Sequence, residues 1–311
     1  MRRKQSYLVL SMALLLAAAC TKSRSHLQTV KSEEGIEISG NGSPVLFYQM
    51  RPKSQNGKYE RSDYVHPLYS LKGNVMTEDF PPDHPFHHGI YSAWHQILIN
   101  DSTIGDGWVG DNVSWEVEDA KATDHGNAVM IESKVVWRSS IKGQREPIVR
   151  EESKITVHES DDRMRIIDFD VDVYPMKDSM KLGGSDDEKG YGGFCVRLKL
   201  PQDIKFMARG REVEAQTLSI EAGPWMNFVG SFDGEDSPPS AVLLLQHPSN
   251  PGHPQPWILR KEKSMQNAAF PGRHPLELTK DGWHFRYRLI VHDGSLDEKS
   301  IEEFFEAYSK V

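Results

Sequence analysis

The stretch Ile167-Asp168-Phe169-Asp170-Val171-Asp172-Val173 alternates apolar and acidic residues without a break. Successive side chains of a strand point to opposite faces, so Ile167, Phe169, Val171 and Val173 share a core face and the three aspartates face away. The same period of two recurs on both sides of it. Short runs at 45–49, 90–99, 113–117, 129–137, 152–157, 194–200, 225–232, 241–246 and 284–291 are separated by Gly, Pro, Asp and Asn, the punctuation of antiparallel strands. About a dozen strands are expected on this pattern. In the run from Trp283 to His292, Trp283, Phe285, Tyr287, Leu289 and Val291 fall on one face; His284, Arg286, Arg288 and His292 fall on the other. Only 296–308 reads as a helix, with Ser295 as its N-cap and Ile301, Phe304, Phe305 and Tyr308 at helical spacing. The expected fold is all-β: one large antiparallel β-sandwich over 35–311 with a C-terminal helix, the mutarotase-like supersandwich being one form it could take.

The chain has 311 residues, 38% of them hydrophobic and 26% charged, enough apolar side chains for a large core and no low-complexity tract. A mean hydropathy of −0.56 excludes a polytopic membrane protein. The N-terminus reads as a processing signal: Arg2, Arg3 and Lys4, an apolar stretch from Tyr7 to Ala18, then Leu16-Ala17-Ala18-Ala19-Cys20. Small residues before a cysteine resemble a bacterial lipobox, in which residues 1–19 are removed and Cys20 is acylated. Residues 20–34, mostly polar, read as a tether, and the expected location is the cell envelope, periplasmic or surface-exposed, with attachment by lipid. After Cys20 only Cys195 remains, so no disulfide forms within the mature chain and the apolar core must hold it together. Without the three leader cations, 34 Lys and Arg stand against 45 Asp and Glu, a net charge of −11. Such a surface repels phosphate backbones, so nucleic acid is not an expected partner.

The histidines are concentrated. Asp83-His84-Pro85-Phe86-His87-His88-Gly89 is followed by Trp94-His95, and His66-Pro67 lies upstream. Imidazole suits proton transfer near neutral pH and is the commonest metal ligand. His84, His87, Asp83 and His66 are therefore the candidate acid/base set. The same loop could instead offer His84 and His87, with His66 or Asp83, to a divalent metal with an open water position, although no standard zinc signature is present. A second group, His247-Pro248-Ser249-Asn250-Pro251 through Trp257, is a stiff Pro-rich loop. His247, Asn250 and Trp257, with Trp94 and His95, offer the donors, acceptors and ring faces that a sugar needs, and Arg288 offers a cation to an anionic ligand. The glycines of 183–193 lack the spacing of a dinucleotide fingerprint, so no nucleotide cofactor is expected.

Together these segments resemble the PmoA-like family of secreted bacterial proteins. The resemblance runs from about Pro44 to His292. It rests on His66-Pro67-Leu68-Tyr69, on 77–89 (TEDFPPDHPFHHG), on Trp94-His95-Gln96, on 247–251 (HPSNP) and on Arg286-Tyr287-Arg288. Where that family often has Arg before the glycine, this chain has His88. The family carries a methane-oxygenase label, but a membrane methane monooxygenase subunit needs apolar spans of about twenty residues, which the mature sequence lacks. Likeness to the secreted sugar-handling proteins of polysaccharide-degrading bacteria implies a carbohydrate ligand. The expected function is a lipoprotein acting on a carbohydrate as hydrolase, lyase or epimerase. A non-catalytic glycan-binding lipoprotein and a metal-dependent hydrolase or oxygenase are the alternatives.

The leader makes one prediction by itself. Cys20→Ser should move the protein from the membrane fraction to the soluble fraction of lysed cells; unchanged partitioning would refute lipidation at Cys20.

Overall fold

In the computed structural model, which describes residues 27–161 and 163–311, the alternating stretch lies within the strand Met164–Pro175, near the middle of a nine-stranded sheet. Its order is Val113–Asp124, Ala128–Ile141, Gln144–His158, Met164–Pro175, Trp283–Asp293, Ser240–Gln246, Trp225–Gly230, Lys205–Ala208 and Arg211–Glu212, every pairing antiparallel. Facing it is an eight-stranded sheet in the order Leu27–Lys31, Gly35–Gly40, Ser43–Gln49, Tyr64–Leu68, Ile90–Trp94, Gly192–Val196, Gln266–Ala269 and Trp257–Ile258. The fold is thus an all-β sandwich with large antiparallel sheets and one C-terminal helix. Both sheets draw strands from distant parts of the chain.

Alternation decides what fills the space between the sheets. Ile167, Phe169, Val171 and Val173 are buried, as are Trp283, Phe285, Tyr287, Leu289 and Val291 on the neighbouring strand. From the opposite sheet Phe194 stacks on Tyr287, with centroids 4.2 Å apart, and Trp94 meets Trp137, Trp283 and Phe285 at 5.9 Å. The outward faces of these two strands neutralise each other. Asp168, Asp170 and Asp172 stand in register with Arg288, Arg286 and His284, and pair with them at 2.6, 2.9 and 2.8 Å. His292 departs from the outward set: it is buried and bonds Asn227, and burial lowers its pKa to about 4.

Several boundaries differ from the sequence reading. The leader and Cys20 lie outside the described residues, but the tether does not extend to 34. Leu27–Lys31 is an edge strand, paired from Leu27↔Gly40 to Lys31↔Ile36. Being exposed on most of its side chains, it has no apolar alternation to reveal it. The run 90–99 is two strands, because the partner of Ile90–Trp94 begins only at Gly192. Beyond His95, Gln96–Ile99 joins a separate four-stranded sheet. The helix is Glu298–Tyr308, capped by Asp297 rather than Ser295, since the Asp297 carboxylate accepts the Ser300 N–H at 2.7 Å. Among the described residues no helix is long and apolar enough to cross a membrane.

Trp94, expected at a sugar site, is instead fully buried, with its Nε1–H donating to the Phe270 carbonyl at 2.8 Å. Trp94→Ala should therefore destabilise the protein by about 3–5 kcal/mol, the usual cost of deleting a buried aromatic ring. Urea unfolding measures this, and a cost below about 1 kcal/mol, as at surface positions, would contradict the core assignment.

Candidate functional site

The site is built on a buried cation. Arg197 follows the apolar strand Gly192–Val196 and is 2% exposed, so its guanidinium must be paired where it lies. Its Nε donates to Glu78 Oε2 at 2.9 Å, its Nη2 to both oxygens of Asp83 at 3.0 and 2.9 Å, and its Nη1 to His87 Nδ1 at 3.1 Å. Its backbone holds the same segments: the Arg197 N–H donates to the Gly89 carbonyl, and the Glu78 N–H donates to the Arg197 carbonyl. Gly89 is required for this approach, because a Cβ there would lie 2.0 Å from the Val65 carbonyl oxygen.

Within the loop, the His87 N–H donates to the His84 carbonyl, a turn that brings the two imidazoles together. They are parallel within 4°, with centroids 4.8 Å apart. Their Nδ1 atoms have opposite partners. His84 Nδ1–H donates to Asp83 Oδ2 at 2.8 Å, which leaves its Nε2 as an acceptor. His87 Nδ1 accepts from Arg197, which can only donate, so the proton of neutral His87 is on Nε2. Burial, then the Arg197 charge beside it, pushes the His87 pKa down to about 2. Burial alone would raise Asp83, but hydrogen bonds from His84 and Arg197 hold its carboxyl below the usual range. Among the described residues neither Nε2 has a hydrogen-bond partner. One ion pair thus fixes a proton acceptor beside a proton donor.

Around this pair the imidazoles continue along the outer face of the eight-stranded sheet. His87 meets Trp108 edge-on at 5.8 Å, and His95 stacks on the same indole at 5.1 Å. His95 Nδ1–H donates to Asp106 Oδ2, while Asp106 Oδ1 accepts the backbone N–H groups of Trp108 and Val109. Tyr191 packs on Trp108 and Phe86 on His87. His88 is buried and donates through Nδ1 to Asp79, which also accepts from Tyr64 and Lys53. His66 is set to one side. Its Nδ1 meets Thr77 Oγ1 at 2.9 Å, its pKa falls to about 4 through burial, and the charges it feels are Asp79, Lys53 and His88. A cleft of about 590 Å³ opens beside the ion pair, lined by Glu78, Asp83, Arg197, Gln202, Lys261 and Lys263 among others.

The second loop does not join this group. Tyr287 and Phe285 face the eight-stranded sheet, so Arg286 between them faces away from it, and His247 and Asn250 are fastened to Arg286. The two histidine groups therefore occupy opposite outer faces of the sandwich. Several polar groups of the Pro-rich loop bond within the fold. Asn250 exchanges two hydrogen bonds with the Arg286 backbone at 2.9 and 2.7 Å, and His247 is held by Ser249 and Arg286. Trp257 is fully buried, with Nε1–H on the Gly223 carbonyl. Arg288 is taken up by Asp168 and lies 4.5 Å from the Tyr308 ring centroid. Among the described residues no group of three His, Cys, Asp or Glu side chains is placed to hold an ion.

An all-β sandwich with an imidazole-lined outer face is the class that fold and site define. Residues 35–306 match the model described as Family of unknown function (DUF6807), and the chain belongs to that family. No curated protein matches it.

The burial of His87 has a pH signature. A histidine whose folded pKa is depressed contributes stability that is complete above its unfolded value of about 6.5 and is lost as pH falls below it. The wild type should therefore lose about 1.4 kcal/mol more than His87→Gln for each pH unit below about 6. Urea midpoints at pH 7 and pH 5 give this difference; parallel losses in the two proteins would show that His87 takes up a proton in the folded state.

Proposed function

We propose that this protein is a lipid-anchored envelope protein that acts on a carbohydrate by moving a proton, as a lyase or epimerase. The opposed polarity of the stacked His84 and His87 rings carries the reading. A base beside a hydrogen-bond donor is what proton abstraction from carbon next to a carbonyl or carboxylate requires. His84 Nε2 would take the proton, Asp83 would orient and stabilise the imidazolium that forms, and His87 Nε2–H would bond the oxygen on which charge develops. Tyr191 and Phe86, half-buried beside the buried Trp108, supply apolar surface for a sugar ring, and the cleft beside the ion pair is within the usual size range for small-ligand sites of about 300–1,000 Å³.

Hydrolysis through two carboxyl groups fits less well. That mechanism needs one carboxylic acid able to give a proton. The cleft carboxylates Glu78 and Asp83 share one guanidinium, and Asp83 is held ionised. A buried carboxyl pair, Asp63 and Glu151, lines a cavity of about 30 Å³, far too small for a sugar.

The test is turnover by the full chain against a panel of polysaccharides, oligosaccharides and their oxidised forms, repeated with His84→Gln. The expected result is a fall of about a hundredfold or more in rate with an unchanged melting temperature. Equal activity per folded molecule would remove His84 from the chemistry, and saturable glycan binding without turnover would establish a binding protein instead.

A further inference from the structure

Between the sheets, behind the histidine loop, two carboxyl groups are buried together. Asp63 follows the short strand Lys58–Arg61 and is 7% exposed; Glu151, on Gln144–His158, is 3% exposed. Asp63 Oδ1 accepts the Tyr48 hydroxyl at 2.7 Å. Glu151 Oε1 accepts from Ser153 and Oε2 from Trp137 Nε1, both at 3.0 Å. Both side chains line the same cavity of about 30 Å³ with Tyr48, Tyr64, Tyr91 and Ser153. That is about the volume of one water molecule in the liquid, too little for a hydrated counter-ion.

Arg61 is the cation of this neighbourhood. It is 3% exposed, donates to the Ser92 and Gly107 carbonyls at 2.9 and 3.2 Å, and lies over the Tyr91 and Trp115 rings at 4.2 and 3.8 Å. No ion pair within 4 Å joins it to either carboxyl among the described residues, but its charge acts on both. Two ionised carboxylates against one guanidinium would leave an uncompensated charge in the interior, which is costly. One proton removes the excess, and a carboxyl pair in contact readily shares one.

We propose that Asp63 and Glu151 are a buried proton-binding pair that takes up one proton as the chain folds and retains it through neutral pH, leaving the pair and Arg61 together neutral. Burial and the negative charge of Asp63 raise Glu151 well above the usual carboxyl range, and burial raises Asp63 as well. The other titratable groups facing the pair are Tyr48, Tyr64 and Tyr91, all raised by burial and therefore uncharged. The sign follows from linkage. Groups with raised carboxyl pKa values stabilise the fold below the unfolded value, and that stability is lost as pH rises toward the folded value. The pair also reaches the histidine layer, since Tyr64 lines its cavity and donates to Asp79, the partner of His88.

Glu151→Gln supplies the neutral, hydrogen-bonded state permanently: its carbonyl can accept from Trp137 and its amide can donate to Asp63. Asp63→Asn is the second variant, and Asn tolerates the positive φ of +60° at that position. Proton uptake on folding of the full chain is measured from the pH dependence of the urea midpoint between pH 7 and 9. The wild type should take up about one proton more than either variant, and its midpoint should fall across this range while theirs stay level. Infrared spectra of the wild type at pH 8 should show the carbonyl stretch of a protonated carboxyl that Glu151→Gln lacks. Equal proton uptake in wild type and variants would overturn the proposal. If neither variant folds, absence of the protonated-carboxyl band from the wild type would do the same.

Discussion

A guanidinium cannot leave water without partners, and Arg197 lies among the least solvated side chains of the molecule. Each of its three nitrogens is met by the loop between Thr77 and Gly89: Nε by Glu78, Nη2 by Asp83 and Nη1 by His87. That one requirement places the loop on the outer face of the eight-stranded sheet and brings His84 onto His87. It also sets which imidazole nitrogen carries each proton, because Asp83 can only accept and Arg197 can only donate. Geometry and protonation therefore come from the same ion pair. The two rings differ in chemistry although they have the same side chain.

The opposite face shows the same residue types put to a different use. Asp168, Asp170 and Asp172 are matched row by row with Arg288, Arg286 and His284, and the Pro-rich loop and the C-terminal chain close over the end of that array. Opposite charges matched across strands stabilise a solvent-facing sheet. On the histidine face the partners are arranged differently. Asp83 and Asp106 each hold one edge of an imidazole and, among the described residues, leave the other edge without a protein partner.

The fold was legible because its signal is local. Alternation at 167–173 and 283–291 needs no knowledge of the rest of the chain, and both strands lie at the centre of the nine-stranded sheet. The edge strand Leu27–Lys31 was missed for the complementary reason: most of its side chains face water, so nothing in it alternates. The site was half legible. His84, His87 and Asp83 stand close in sequence and do come together, and His95 is near them through Trp108. His247, Asn250, Trp257 and Arg288, which the sequence suggests as ligand groups, are each bonded within the fold. Apart from the local His247–Ser249 bond, their partners lie 34 to 120 residues away, and no pattern within the loop reveals that those bonds are already made. Arg197, Asp79, Asp106 and Trp108 were passed over, although a lone arginine directly after an apolar strand is itself a signal that a partner must exist.

The Asp83–Arg197 pair locks His84 and His87 in opposite tautomers. Long-range ¹H–¹⁵N spectra of the full chain at neutral pH, assigned with His84→Gln and His87→Gln, read the proton position on each ring directly. The expected spectrum has a protonated Nδ1 on His84 and a protonated Nε2 on His87 in the same sample. Identical tautomers on the two rings, or a His87 that carries both protons, would contradict it.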